Sequence, residues 1–309
     1  MATSGNLDRD FPKKSTIPRK LKDRASIQFL IIACEDQKTE PNYFKQFKEL
    51  FPDKTVHIEL VDKGGTDSLG VVEAAIEAVE RFKSDRIIEI NKNDFVWVVF
   101  DRDDAHLDIG KGKRFNEALA KAKKNEVRVE VEVAYSNEVF ELWFLLHLED
   151  VAPDISIPRN DKGAYTLAKH NNISLDTLIQ KGFYDSDIGS NQSIYERLEK
   201  AIRRHTQYSN YIYVHKKEDV SKEQSIDKST RKAIKKYLDN QEDIIKIIQD
   251  IGDELKAIER AAILLEYHRN KPEIDANPST KVHLLVRLIR RLLNQYQLGT
   301  KKVESVENS

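Results

Sequence analysis

The chain has 309 residues with 51 Lys+Arg against 52 Asp+Glu, so its near-zero net charge excludes reading nucleic-acid binding from bulk charge. At about 150 residues per domain the length implies two domains, or one large domain with an appendage, with a core that needs no disulfide staples. The single cysteine, Cys34, excludes an internal disulfide and a Cys-x-x-Cys zinc site. No apolar run approaches the roughly 20 residues of a membrane helix, and residues 1–24 lack a signal-peptide core, so a cytoplasmic protein is expected.

Residues 1–24 carry seven bases against three acids and read as a flexible basic arm, either a solvated tail or a segment that tracks phosphates. From 25 to 150 the pattern alternates between strands and helices. Ser26–Ala33 is a nearly continuous apolar run, the signature of a strand buried on both faces. Glu40–Leu50 has helical spacing, with Pro41 in the first turn. Lys54–Asp62 alternates, with Val56, Ile58 and Leu60 on one face. Lys63-Gly64-Gly65-Thr66 leads into a helix near 67–82; it lacks the spacing of a phosphate-binding P-loop and reads as a tight turn with a cap. Phe95–Phe100 is the most hydrophobic strand. A helix near 114–124, a strand Val127–Ala134 and a helix Val139–Leu148 complete the series. Such alternation predicts an α/β fold with a mainly parallel sheet flanked by helices.

After 150 the strand signals nearly vanish. Residues 151–162 read as a loop or linker, and helices are expected near 164–181, 190–206, 226–268 and 280–295, giving a helical C-terminal domain over 151–297 and a disordered tail over 298–309. Ile244, Ile248, Ile251, Leu255, Ile258, Ala262 and Leu265 follow a heptad seam, which folds back within the subunit or joins two copies as a homodimer. Arg203-Arg204-His205 and Lys228–Lys236, with Tyr208, Tyr211 and Tyr213 nearby, are basic and aromatic groups of the kind that hold unpaired nucleic acid, or are ordinary helix faces and packed rings.

Two acidic motifs sit just past strand ends, where ligands bind in open α/β sheets. They are Cys34-Glu35-Asp36 and Asp101-Arg102-Asp103-Asp104. In an extended segment Asp101 and Asp103 would share a face about 6–7 Å apart, and Glu35 would reach the same space if the two strands are neighbours. Carboxylates that converge in this way repel unless a cation lies between them, and oxygen-only ligation suits Mg²⁺ or Mn²⁺. Aspartates after strands also cap helices and satisfy turns; here two strand-end acids occur together, one behind a very apolar strand. Glu141, near a helix start among apolar residues, is either a further metal ligand or an acid favoured by the helix dipole. His147 reads as a packed histidine. Ser136-Asn137 is expected to cap the helix that follows, and Ser279 or Thr280 the last one.

Four stretches, CEDQKTEPNYF (34–44), FDRDD (100–104), SNEVFELWFLLH (136–147) and NPSTKVHLLV (277–286), resemble the RloB-like proteins, a family with a Toprim-type fold. That family usually has glycine where Asp36 stands and proline where Glu138 stands. The resemblance implies a Toprim centre, a glutamate after the first strand and a DxD after the third, at Glu35, Asp101 and Asp103. Toprim domains cut or join phosphodiester backbones in topoisomerases, primases and overcoming-lysogenization-type nucleases. RloB-like proteins resemble bacterial defence components encoded near restriction genes or beside an ABC/AAA-type ATPase, which implies a nuclease acting on RNA such as tRNA, or on DNA, under control of that partner. In this reading Asp101 and Asp103 hold Mg²⁺ or Mn²⁺, Glu35 shares the metal or takes a proton from water, and Lys38 neutralises charge on the phosphate. Two other classes remain: a DxD phosphatase, against which the position of the motif on the third strand argues, and a non-catalytic subunit that docks a partner ATPase.

Overall fold

The computed structural model describes residues 28–51, 56–62, 67–84, 94–103, 105–125, 130–157, 193–209, 211 and 243–307. The basic arm, Lys63–Thr66, Asp104, the 164–181 helix, Lys228–Lys236 and Tyr213 lie outside these residues.

The α/β series comprises β1 (Gln28–Cys34), α1 (Thr39–Lys48), β2 (Val56–Asp62), α2 (Ser68–Ser84), β3 (Phe95–Asp101), α3 (Ile109–Lys123), β4 (Val131–Asn137) and α4 (Glu141–Leu148). The sheet order is β2-β1-β3-β4-β5, with the first four strands parallel. β5 (Ser279–Thr280) runs antiparallel against β4, pairing Ser136 with Thr280. The chain is therefore an α/β protein with a mainly parallel sheet and a helical C-terminal region.

Alternate residues of β1 and β3 enter two cores, as strand pleating requires. Leu30, Ile32, Cys34, Trp97 and Val99 face α1, α4 and the C-terminal helices. Ile31, Ala33, Val96, Val98 and Phe100 face α2 and α3. α4 is buried all round, with Trp143, Phe144, Leu145 and Leu146 fully enclosed, the expected state of a helix without a polar face.

The C-terminal helices are α5 (Ile194–Arg203), α6 (Ile244–Ile251), α7 (Glu254–Tyr267) and α8 (Val282–Glu307). Their apolar residues join α1 and α4 in one core, and Arg260 ties α7 to α4 through the Leu146 carbonyl at 2.7 Å. The heptad seam is not continuous. Gly252-Asp253 breaks it, Asp253 caps α7 by accepting from Lys256 N–H, and Leu255 is left exposed while Ala257, Ala261 and Leu264 form the buried face. Arg203 and Arg204 are occupied by Glu199 and Glu149, and Tyr208 donates to Asp250 at 2.9 Å.

Three boundaries differ from expectation for local reasons. α3 starts a turn early because Asp108 caps it, Gly110 and Gly112 having hidden the helical pattern. β4 continues to Asn137 because it gains a partner in β5. α8 runs to Glu307, into the segment expected to be a disordered tail; residues 300–307 contain helix formers and no proline.

Candidate functional site

In this strand order the chain leaves β1 in one direction for β2 and returns across it to β3. The β1/β3 boundary is thus the point where the winding reverses, the usual place for a ligand crevice. β1 and β3 are direct neighbours, Cys34 pairing with Val99, so Glu35 and Asp101 leave the sheet side by side. The Asp101 N–H donates to Glu35 Oε2 at 2.9 Å, and the Glu35 N–H donates to the Val99 carbonyl at 3.1 Å.

Glu40 belongs to this centre, although the sequence reading passed over it. It is 1% exposed, and its Oε2 accepts from the Glu35 and Asp36 N–H groups at 2.9 and 3.1 Å. One signal was available. Glu40, Tyr43, Phe44 and Phe47 fall at helical spacing on the buried stripe of α1, so this acid occupies a core position. Asp36 accepts from Gln37 and Thr39 N–H at 2.6 and 2.9 Å and thereby caps the turn. Lys38 stands exposed at the N-cap of α1.

The Asp101-Arg102-Asp103 segment is not extended. β3 ends at Asp101, Asp103 has φ 51°, and Ala105 N–H closes a turn onto the Arg102 carbonyl at 3.1 Å. Asp is among the few residues that tolerate this left-handed region, so the shared-face geometry expected for the DxD is replaced by a turn. Arg102 points into the protein. Its Nη1 donates to the Ile274 carbonyl at 2.8 Å and its Nη2 to Glu138 Oε1 at 2.9 Å. The backbone is gripped as well, Arg102 N–H bonding to Ser136 O and Asp103 N–H to Glu138 O, both at 2.9 Å. Glu138 is therefore the clamp behind the acidic turn.

Glu141 opens α4 and is 1% exposed. Ser136 and Asn137 do not cap this helix. Both lie in β4, where Ser136 Oγ meets Thr280 Oγ1 at 2.9 Å and Asn137 Nδ2 donates to the Glu273 and Ala276 carbonyls. Thr280 caps α8 by accepting from Val282 N–H at 3.2 Å. His147 is packed as expected, its Nδ1 2.9 Å from the Trp143 carbonyl, and burial holds its pKa below the ordinary value.

The acids act on one another. Burial pushes the Glu35 pKa up to about 8, opposed by the Asp101 N–H and reinforced by the charges of Asp103, Asp67 and Asp36. Burial also raises Asp101 well above the carboxylate range, with further contributions from Glu40, Asp103, Glu141 and Glu35. Glu40 is raised by burial and then by Glu35. The structure therefore sets Glu35 beside Asp101, places Asp103 and Glu141 where their charges act on that pair, and adds Glu40.

Among the described residues no group of three or more His, Cys, Asp or Glu side chains forms a ready metal cage. The donor chemistry nevertheless fits a hard divalent cation. Asp101 Oδ1 is buried and has no hydrogen-bond partner, an expensive condition for a carboxylate oxygen, and Mg²⁺ is usually held by one or two carboxylates with water and substrate phosphate completing its shell.

An open α/β sheet with a buried carboxylate centre at its switch point defines the class of protein. A family model described as RloB-like protein matches residues 30–289, and the chain belongs to that family. No curated protein and no solved structure matches it. No helix among the described residues is long and apolar enough to cross a membrane.

Two outcomes are expected. The folded chain holds the Glu35 proton up to about pH 8, whereas an ordinary glutamate releases it near 4.5. The folded state therefore binds more protons across that window, and stability falls as pH rises through it. Glu35→Gln should raise the melting temperature at pH 8 in EDTA and flatten this slope; an unchanged pH profile would show that Glu35 is not held as an acid. Arg102 and Glu138 side chains are 1% and 12% exposed. Glu138→Ala should cost about 3 kcal/mol by stranding a buried guanidinium, and adding Arg102→Met should recover most of that loss in denaturant titrations. Additive losses would contradict the pairing.

Proposed function

We propose that this chain is a Mg²⁺- or Mn²⁺-dependent phosphodiester hydrolase with a Toprim-type centre. We further infer that it acts as the nuclease effector of a bacterial anti-phage defence system, on RNA such as tRNA or on DNA, under control of a partner ABC/AAA-type ATPase. The observation that carries the catalytic reading is the buried, unbonded Asp101 Oδ1 beside Glu35 at the β1/β3 switch point. The defence role and the ATPase rest on the family resemblance alone.

In this reading Asp101 and Asp103 hold the cation. When bound, it neutralises the crowded carboxylates and polarises the scissile phosphate. Glu35 takes the proton from the attacking water or shares in holding the ion. Its pKa of about 8 lies in the range where an acid–base group works near neutral pH. Glu40 fixes the turn that presents Glu35 by accepting its backbone N–H. Lys38, exposed on the same turn, neutralises charge on the phosphate. Glu141 adds negative field behind Asp101.

One observation favours a second reading, a non-catalytic subunit that docks an ATPase: the acids do not form a preassembled cage of three or more ligands. Substitution separates the two. Asp101→Asn should abolish Mg²⁺- or Mn²⁺-dependent cleavage across a panel of tRNA, single-stranded RNA, single-stranded DNA and duplex DNA, with and without ATP and the neighbouring ATPase. Its melting temperature should not fall, since asparagine keeps the size and shape of a side chain that burial already holds in its neutral form. Undiminished cleavage by Asp101→Asn would end the proposal, and wild-type silence in every arm would favour the docking subunit.

A further inference from the structure

Two hydrogen bonds join the start of α2 to the second turn of α3. Arg114 Nε donates to Asp67 Oδ2, and Nη2 donates to Oδ1 at 2.9 Å. Because β1, β2 and β3 are parallel neighbours, the connections into α1, α2 and α3 all leave the sheet at one edge. α2 packs on β1 and β3, and α3 packs beside it on β4. The pair between their first turns therefore stands at the carboxyl ends of β1 and β3, from which Glu35 and Asp101 emerge. The charge of Asp67 acts on Glu35, as this placement requires.

The pair is not what holds the two helices together. Phe115 and Ala118 of α3 share a core with Val72 and Ala75 of α2, and farther along Lys121 bridges to Glu73 at 2.9 Å. Asp67 also has a separate task, accepting from Gly70 N–H at 3.0 Å as the cap of α2. The side chains of Arg114 and Asp67 are 49% and 43% exposed, and an ion pair so open to water contributes little to stability. Arg114 can leave Asp67 without loosening the fold.

A guanidinium offers a phosphate the fork it offers a carboxylate, two N–H groups directed at two oxygens, and it stays charged throughout the working pH range. A phosphodiester strand brought to Glu35, Glu40, Asp101 and Asp103 carries negative charge into a negative centre. A divalent cation would offset the carboxylates, but the phosphates on either side of the scissile one still need a counter-charge. Arg114 stands beside the centre with its fork already on an oxygen pair, and the Asp67 carboxylate takes the place a phosphate would take.

We propose that Arg114 is a phosphate-binding residue of this centre, held by Asp67 in the free protein and exchanged onto a backbone phosphate of the bound nucleic acid. The assignment rests on the phosphodiester reading and deepens it by naming a substrate-binding group outside the acids.

The test measures binding in the full chain carrying Asp101→Asn, so that nothing is cut. The probes are labelled tRNA, single-stranded RNA, single-stranded DNA and duplex DNA, each across a salt series. Arg114→Gln should weaken binding about tenfold and lower the salt dependence by about one ion. Arg114→Lys should fall between, because lysine keeps the charge and loses the fork. Asp67→Asn retains a capping side chain and should tighten binding by releasing the arginine. The double variant should bind like Arg114→Gln alone, since Asp67 acts through Arg114. Melting temperatures should stay within a few degrees of the parent. Parent-like binding by Arg114→Gln overturns the proposal. So does weakened binding in both single variants, which would make the pair a structural strut. An equal gain from Asp67→Asn with and without Arg114 also overturns it, by making Asp67 a simple repulsive charge. In these three cases the parent still binds and the phosphodiester reading stands; a parent that binds no probe removes that reading and Arg114's role together.

Discussion

The hydrogen bond from the Asp101 N–H to Glu35 Oε2 is the contact on which the site depends. It joins the ends of two neighbouring parallel strands across the switch point and fixes two carboxylates in one crevice. Placing them there is electrostatically unfavourable, because each charge loses water and faces others of the same sign. The raised pKa values of Glu35, Glu40 and Asp101 express that cost. Proteins retain such arrangements mainly where function requires them.

The surrounding structure supplies what the acids cannot. α1 brings Glu40 beneath the Glu35 turn, and the same helix is anchored by Tyr43, which meets Phe44, Phe47, Phe140, Trp143 and Phe144 edge-on. Behind the DxD turn, the buried Arg102–Glu138 pair and the Ile274 carbonyl tie Asp101 and Asp103 to the C-terminal region. β5 and the segment before it thereby brace the acidic turn from one side, while α1 braces it from the other. The C-terminal helices complete the core beneath the centre, so sheet and helical region act as one support.

Much of this was legible in the residues. Two apolar runs of strand length identified β1 and β3, and an acid at the end of each marked Glu35 and Asp101, because period-2 burial and strand-end chemistry are local properties. What escaped depended on tertiary partners. Glu40 drew no attention because an acid in a first helical turn is ordinary, and only its aromatic neighbours on the same buried stripe mark it as core. Asp103 was read as extended because nothing local announces the left-handed turn that the Glu138 carbonyl helps to hold. Ser136-Asn137 looked like a cap, but a two-residue strand about 140 positions later engages the Ser136 hydroxyl, and the Glu273 and Ala276 carbonyls just before that strand take the Asn137 amide. The heptad pattern persisted across Gly252-Asp253 in sequence, although the helix does not.

Burial holds the protons of Glu35 and Asp101 in the free protein, and the proposed metal reading requires those two groups to yield them when a cation binds. Calorimetric titration with Mn²⁺ near neutral pH, repeated in buffers of different ionisation enthalpy, measures binding and proton release together. The expected result is binding to the wild type with net proton release, abolished in Asp101→Asn and reduced in Glu35→Gln. Binding with no proton release, or undiminished binding in Asp101→Asn, would contradict it.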